Sequence, residues 1–350
     1  MSSWLVTGGA GFIGANFVRL AASATDAQMV VLDALTYAGN LRNISGLVDA
    51  GRITFVRGDI CDRDLVAELF GRHRFDRVIH FAAESHVDRS ILGPLPFIRT
   101  NVEGTAALLE VARTSWAGHL GDKLFLHVST DEVYGSLGPD DPAFSESSPY
   151  RPSSPYSASK AAADHLVRAW SHTFGLPVIV SNCSNNYGPL QFPEKLIPLM
   201  ILNAIEGREL PVYGDGRQIR DWLHVEDHCR ALLALLRRGR VGETYVVGGG
   251  CERTNLQIVR RICECVDTLL GRAQGAAARL IRHVTDRPGH DRRYAMNASK
   301  LRAEIGWEPR HVLDEALPDL VAWYRDNGEW ADAIRSGAYL SFYEQLYGQR

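Results

Sequence analysis

Two adjacent carboxylates, Asp131 and Glu132, stand behind the Thr130 hydroxyl, directly after the apolar run 124–128. A buried strand should end there, so repulsion and partial loss of water raise at least one carboxyl pKa toward neutrality. Such a pair can hold a proton donor beside a proton acceptor. A strand ending in a solvated acidic turn has the same spelling, so the pair gains meaning only from its company. That company includes Tyr156 and Lys160, four residues apart on one face of a helical pattern that runs from 156 to about 174. An ammonium beside a phenol stabilises phenolate and lowers the Tyr156 pKa toward a value suited to deprotonating a sugar or alcohol hydroxyl. An exposed aromatic-lysine pair is the bland alternative. Lysine occurs only at 123, 160, 195 and 300, so this one carries more weight than any of the numerous arginines.

These groups need elements to bring them together. Residues 3–7 read as a short buried strand that runs into Gly8-Gly9-Ala10-Gly11-Phe12-Ile13-Gly14 and then a helical pattern to about 22. Gly9, Gly11 and Gly14 satisfy G-x-G-x-x-G, while Gly8, Gly11 and Gly14 equally satisfy G-x-x-G-x-x-G. Glycine permits the tight turn and close approach of backbone to a pyrophosphate, which the helix N-terminus binds through free N–H groups. The next strand, 29–32, ends at Asp33. An acid there suits the ribose hydroxyls of NAD and repels the extra phosphate of NADP.

A third strand, 53–56, is followed by Asp59 and Ile60, where an adenine edge would lie; a helical stretch, 62–72, leads to a fourth strand, 78–83. Alternating strands and helices imply right-handed crossovers and a doubly wound parallel sheet of α/β class, with ligands along its carboxyl edge. A long helix is predicted over about 96–116. Five prolines and two glycines in 135–155 mark a long surface loop of the kind that covers sites. After a strand at 177–183 the alternation loosens. Residues 1–184 are therefore expected to form the nucleotide-binding domain and 185–350 a smaller α/β substrate lobe, with 242–247 a candidate strand returning to the sheet. Residues 185–189 read as a turn.

At 350 residues with net charge −3 the chain lacks the basic excess that nucleic acid binding needs. No apolar run approaches a membrane span, and the N-terminus lacks a signal core, so a cytoplasmic protein is expected. The six cysteines are scattered. They predict reduced, mostly buried side chains, with neither a disulfide framework nor a metal site.

Taken together, the glycine turn, 32–40 (Leu-Asp-Ala-Leu-Thr-Tyr-Ala-Gly-Asn), 82–90 (Ala-Ala-Glu-Ser-His-Val-Asp-Arg-Ser), 129–135, the Tyr156/Lys160 pair, 185–189, Arg220-Asp221-Trp222 and 287–291 resemble the extended short-chain dehydrogenase/reductase family. The likeness is greatest to its sugar-nucleotide 4,6-dehydratases and spans nearly the whole chain. It implies a Rossmann domain that binds NAD through Gly8, Gly11, Phe12, Ile13, Gly14, Asp33, Asp59, Ile60, Ala82, Tyr156 and Lys160. It also implies dehydration of dTDP-glucose to the 4-keto-6-deoxy sugar nucleotide. Tyr156, helped by Lys160 and Thr130, takes the 4-hydroxyl proton during oxidation at carbon 4. Glu132 then removes the carbon 5 hydrogen, Asp131 protonates the departing 6-hydroxyl, and hydride returns to carbon 6. Substrate contacts are implied for Ser90, Thr130, Asn185, Glu194, Lys195, Arg220, Asn255, Arg287, His290 and Tyr294. The resemblance further implies a homodimer formed through the helices near 96–116 and 156–174. An epimerase or decarboxylase on the same fold, and a silent NAD-sensing protein, are the competing readings. The acidic pair separates the first of these from a dehydratase, the intact Tyr156 and Lys160 argue against the second, and thymidine and uridine substrates both remain open.

Overall fold

Strands β1 (Ser3–Thr7), β2 (Gln28–Asp33), β3 (Ile53–Arg57), β4 (Arg77–His80), β5 (Leu124–Thr130) and β6 (Val178–Cys183) are joined in one sheet in the computed structural model. The structure describes residues 2–335 and Tyr343; the remainder of the expected second lobe, 336–342 and 344–350, lies outside the described residues. A seventh strand, β10 (Thr244–Val247), completes the order β10-β6-β5-β4-β1-β2-β3, with every neighbouring pair parallel.

Parallel strands joined by helices are covered on both faces, which is why β5 and β6 are buried along their whole length. Alternation along β5 serves both cores. Leu124, Leu126 and Val128 join the layer containing Phe17, Val18, Leu232 and Leu235, whereas Phe125 joins the layer of Leu108, Leu109 and Val167. The first layer belongs to helices Phe12–Ala24 and Val225–Arg238, and the second to Thr105–Ser115 and Pro155–Phe174.

The second lobe has its own core, in which Met200, Ile201, Ile258, Val259, Leu317 and Val321 pack together. Around it lie β7 (Asn185–Tyr187), β8 (Leu210–Tyr213), β9 (Ile219–His224), β11 (Glu252–Thr254) and β12 (Ile281–Val284). They form a three-stranded sheet, β11-β9-β7, and a β12-β8 pair. The chain passes from this lobe into the main sheet at β10 and back again.

Three sequence expectations are corrected here. Residues 185–187 form a strand paired in parallel with 222–224, and Tyr187 is fully buried; the Asn, Gly and Pro around it are turn formers, and its partner strand is remote in sequence. The helix expected over 96–116 is interrupted at Ile98–Gly104 by a π-helical segment. Asn101 sits inside it, accepting the Glu84 N–H at 2.9 Å and donating to Glu84 O and to the Ser159 hydroxyl at 3.0 and 2.8 Å. The widened turn turns that amide toward the sheet edge. The 135–155 loop is pinned by buried Leu137 and Phe144 against Tyr294 and Met296, and none of residues 135–155 lines the cleft described below. No described helix is long and apolar enough to cross a membrane.

Candidate active site

β1 lies between β2 and β4, so chain connections leave in opposite directions and a crevice opens at the carboxyl ends of these strands. Gly8 follows β1 there with φ +70°, and a Cβ on it would lie 2.5 Å from the Ala82 nitrogen. A Cβ on Gly14 would lie 2.2 Å from Gly8 O. Both positions therefore require glycine. The helix that begins at Phe12 has no side-chain cap and no acid in its first turn, which leaves its N–H groups to an anion. Asp33 is buried at the end of β2; its carboxylate accepts the Ala10 and Leu35 N–H groups at 2.9 and 2.8 Å. Burial raises its pKa and these two bonds oppose the rise. Asp59 accepts the Cys61 N–H at 2.9 Å beside buried Ile60. A dinucleotide fits this wall, which comprises Gly8, Gly11, Phe12, Ile13, Gly14, Asp33, Asp59, Ile60 and Ala82. A glycine cradle of this kind suits a pyrophosphate, and an acid at the end of β2 suits ribose hydroxyls.

The same crevice contains Thr130, Asp131, Glu132, Tyr156 and Lys160. Asp131 is 1% exposed; its Oδ1 accepts the Thr130 hydroxyl at 3.2 Å and its Oδ2 has no partner. Burial and then the charge of Glu132 push its pKa well up. Burial raises Glu132 as well, but Arg287, Lys195 and Arg220 pull it back. Both carboxyls are raised, Asp131 the further of the two, so Asp131 is the better placed of the pair to hold a proton.

Tyr156 opens the helix Pro155–Phe174, whose start is fixed by a capping box between Ser154 and Ser157. Here the expected direction is reversed. Burial, then Glu132 and Cys183, push the phenol well above its usual range, against a lowering hydrogen bond from Thr130. Lys160 turns its Nζ to Val128 O at 2.9 Å, and burial lowers its own pKa. Desolvation and a neighbouring carboxylate thus outweigh the ammonium, a balance that helical spacing alone does not reveal.

Glu132, Asn185, Asn186, Gln191, Glu194 and Lys195 also border a second compartment, lined by Arg220, Asn255, Arg287 and His290 from the smaller lobe. Lys195 donates to Ser85 O at 2.9 Å, Glu194 accepts Arg89 Nε at 3.0 Å, and Arg220 donates to Asp291 O at 3.0 Å. His290 sits 2.6 Å from Asp286; burial, with Arg287 and Arg220, lowers its pKa to about 4. Two predicted residues stand behind the wall. Ser90 is fully buried with its hydroxyl on Val87 O, and Tyr294 donates to Asp291 beneath the Arg220 guanidinium.

Sequence reasoning passed over Cys183, Asn186, Gln191 and Phe192, which line the crevice. Cys183 pairs in register with Thr130 across β5 and β6, a pairing between strands remote in sequence that no local pattern announces. All six cysteines are free, four of them buried. Among the described residues one group offers metal-ligating atoms, His224, Glu226 and His311. Its two rings stack 3.9 Å apart at 22°, so their in-plane lone pairs run nearly side by side.

A family model described as GDP-mannose 4,6 dehydratase matches residues 5–320. A dTDP-glucose 4,6-dehydratase from Xanthomonas campestris pv. campestris (strain B100) is 56% identical over 344 residues, covering 97% of each chain. The crystal structure of a dTDP-glucose 4,6-dehydratase from Streptomyces venezuelae with NAD bound is 45% identical, with TM-score 0.87, and the match covers 95% of this chain and 99% of that one. A UDP-glucose 4-epimerase from Thermus thermophilus in complex with NAD is 28% identical, with TM-score 0.82, covering 93% and 99%.

Proposed function

The chain belongs to the GDP-mannose 4,6 dehydratase family within the extended short-chain dehydrogenases/reductases, and from that premise we propose how its residues divide the dehydration of dTDP-glucose. The enzyme is an NAD-dependent dehydratase that forms dTDP-4-keto-6-deoxyglucose. NAD, held by the glycine turn, Asp33 and the Asp59-Ile60 wall, accepts hydride from carbon 4 and returns it to carbon 6. Tyr156 is the base for the 4-hydroxyl, with Thr130 bonded to its phenol and Lys160 one turn behind. The ketone so formed acidifies the hydrogen on carbon 5. Glu132, anionic among Arg287, Lys195 and Arg220, removes that hydrogen, and Asp131, kept protonated by burial, supplies the proton with which the 6-hydroxyl leaves as water.

The observation that carries this reading is the unequal environment of two consecutive acids in the crevice that also contains Tyr156 and Lys160. An epimerase cycle needs only the latter two. Arg220, Arg287 and Lys195 suit a diphosphate, and Asn185, Glu194, Asn255 and His290 complete the substrate wall. Ser90 and Tyr294 support it from behind.

The protein works as a cytoplasmic homodimer. Six free cysteines suit a reducing compartment. Leu92 at the end of one short helix and Leu95 and Ile98 in the next are exposed, Leu95 to 76%, as expected of a face that meets a second copy.

The test is incubation with dTDP-glucose and UDP-glucose, read by mass for loss of water. Deuterium placed at carbon 4 should appear at carbon 6 of the same molecule, with a solvent proton at carbon 5. Label retained at carbon 4 with the 6-hydroxyl intact would overturn the assignment.

A further inference from the structure

Beneath Lys160 lies a polar chain that the reaction above does not use. Asp164, one helical turn further and fully buried, accepts the Tyr150 hydroxyl at 2.7 Å and the Asn182 amide at 3.0 Å on Oδ2, while His127 Nε2 lies 3.1 Å from Oδ1. Arg168 donates to the Tyr150 hydroxyl at 2.6 Å, and Asn182 donates to Thr130 O at 3.3 Å. The chain therefore touches both the helix of Tyr156 and the strand end of Asp131.

Lys160 is 4% exposed, and an ammonium so far from water loses its proton unless a fixed negative charge opposes the cost of burial. We propose that Asp164 is a positioning residue, the counter-charge that keeps the Lys160 ammonium protonated in the active enzyme. The other titratable groups facing Lys160 are neutral at pH 7. On β5, burial and then Lys160 take His127 to about 4; on β4, burial, His127 and Lys160 take His80 well down; on β6, burial and then Asp131 push the Cys183 thiol up. Tyr156, on the same helix, is likewise raised by burial. Asp164 is different. Burial alone would raise it, yet His127, Lys160 and Tyr150 bring it to about 2. It is the one anion of the set, and after burial it is the largest influence on Lys160.

The role assigned to Lys160 rests on the dehydratase reading, but its charge can be measured without turnover. The chain has four lysines, so ε-13C-lysine NMR gives four resonances, and Lys160→Arg identifies the one that matters. In the unaltered protein that signal should stay protonated through neutral pH; titration below about pH 7 would overturn the proposal whatever the variants do. In Asp164→Asn its midpoint should fall by about 1 unit or more, and the alkaline limb of substrate-driven NAD reduction should fall with it. Activity near pH 6 should be retained. Tyr150→Phe, which removes a hydrogen bond but no charge, should leave the midpoint in place. An unmoved midpoint in Asp164→Asn, or a loss of activity equal at every pH, would make Asp164 a packing residue only. Titration as described with no turnover on any sugar nucleotide would leave the proposal standing and remove the dehydratase reading.

Discussion

Asp131 and Glu132 are neighbours in sequence, yet the first is sealed under the end of β5 and the second lies in the field of three basic side chains. Mutation should separate their work from that of Tyr156. Asp131→Asn removes the transferable proton and Glu132→Gln removes the base, and each should slow water loss by ~100- to 10,000-fold. Both should still reduce NAD on adding dTDP-glucose, visible as NADH absorbance that builds up in a single turnover. Tyr156→Phe should abolish that absorbance change. The acidic pair and the Tyr156/Lys160 spacing were legible because each is local. The pKa direction of Tyr156 was not, since it depends on burial and on a carboxylate delivered by the turn after β5. Asp164 and Cys183 escaped notice for the same reason.

The helix that carries Tyr156 begins at a capping box, with Pro155 in its first turn. Ser154→Ala removes an acceptor for the Ser157 N–H and should cost about 1 kcal/mol of stability, read as a lower urea midpoint. Because Tyr156 lies in that same turn, kcat should fall while NAD affinity holds. Asp33 joins an element to a ligand in a similar way. Asp33→Ser should narrow the preference for NAD over NADP in binding measurements, and should destabilise the protein by about 1–3 kcal/mol because two backbone N–H groups lose their acceptor. Strands ending in glycine or acid announced themselves through apolar runs and turn residues. β7 and the π segment did not: one is made by pairing with β9, the other by the contacts of Asn101 with Glu84 and Ser159.

For the whole molecule, the proposed dimer predicts that Leu95→Asp converts the unaltered protein's dimeric mass to a monomeric one, measured by sedimentation at micromolar protein; a monomeric mass before substitution would remove the proposal, and an unchanged dimeric mass would place the interface elsewhere. Stability should also respond to acid. Burial lowers His127 to about 4, with Lys160 adding to it, and His228 to about 3. The unfolded chain takes up protons near pH 6.5 that these folded sites refuse. Stability present above pH 6.5 is therefore lost as pH falls toward 4, by about 2 kcal/mol for each histidine at pH 5. Denaturant titrations at pH 7 and pH 5 should show this decline, and equal stabilities would contradict it.

The edge position of β10 bears on how the protein can be made. Its partner, β6, is complete at Cys183, but residues 244–247 are synthesised only after residues 185–243 of the smaller lobe. Until then a wholly buried strand of the finished protein presents open backbone donors and acceptors to anything nearby. A gene truncated between these two points should yield insoluble chains even though every residue of the glycine turn and the Tyr156 helix is present. A ribosome that stalls there holds a sheet ready to pair with a neighbouring nascent chain.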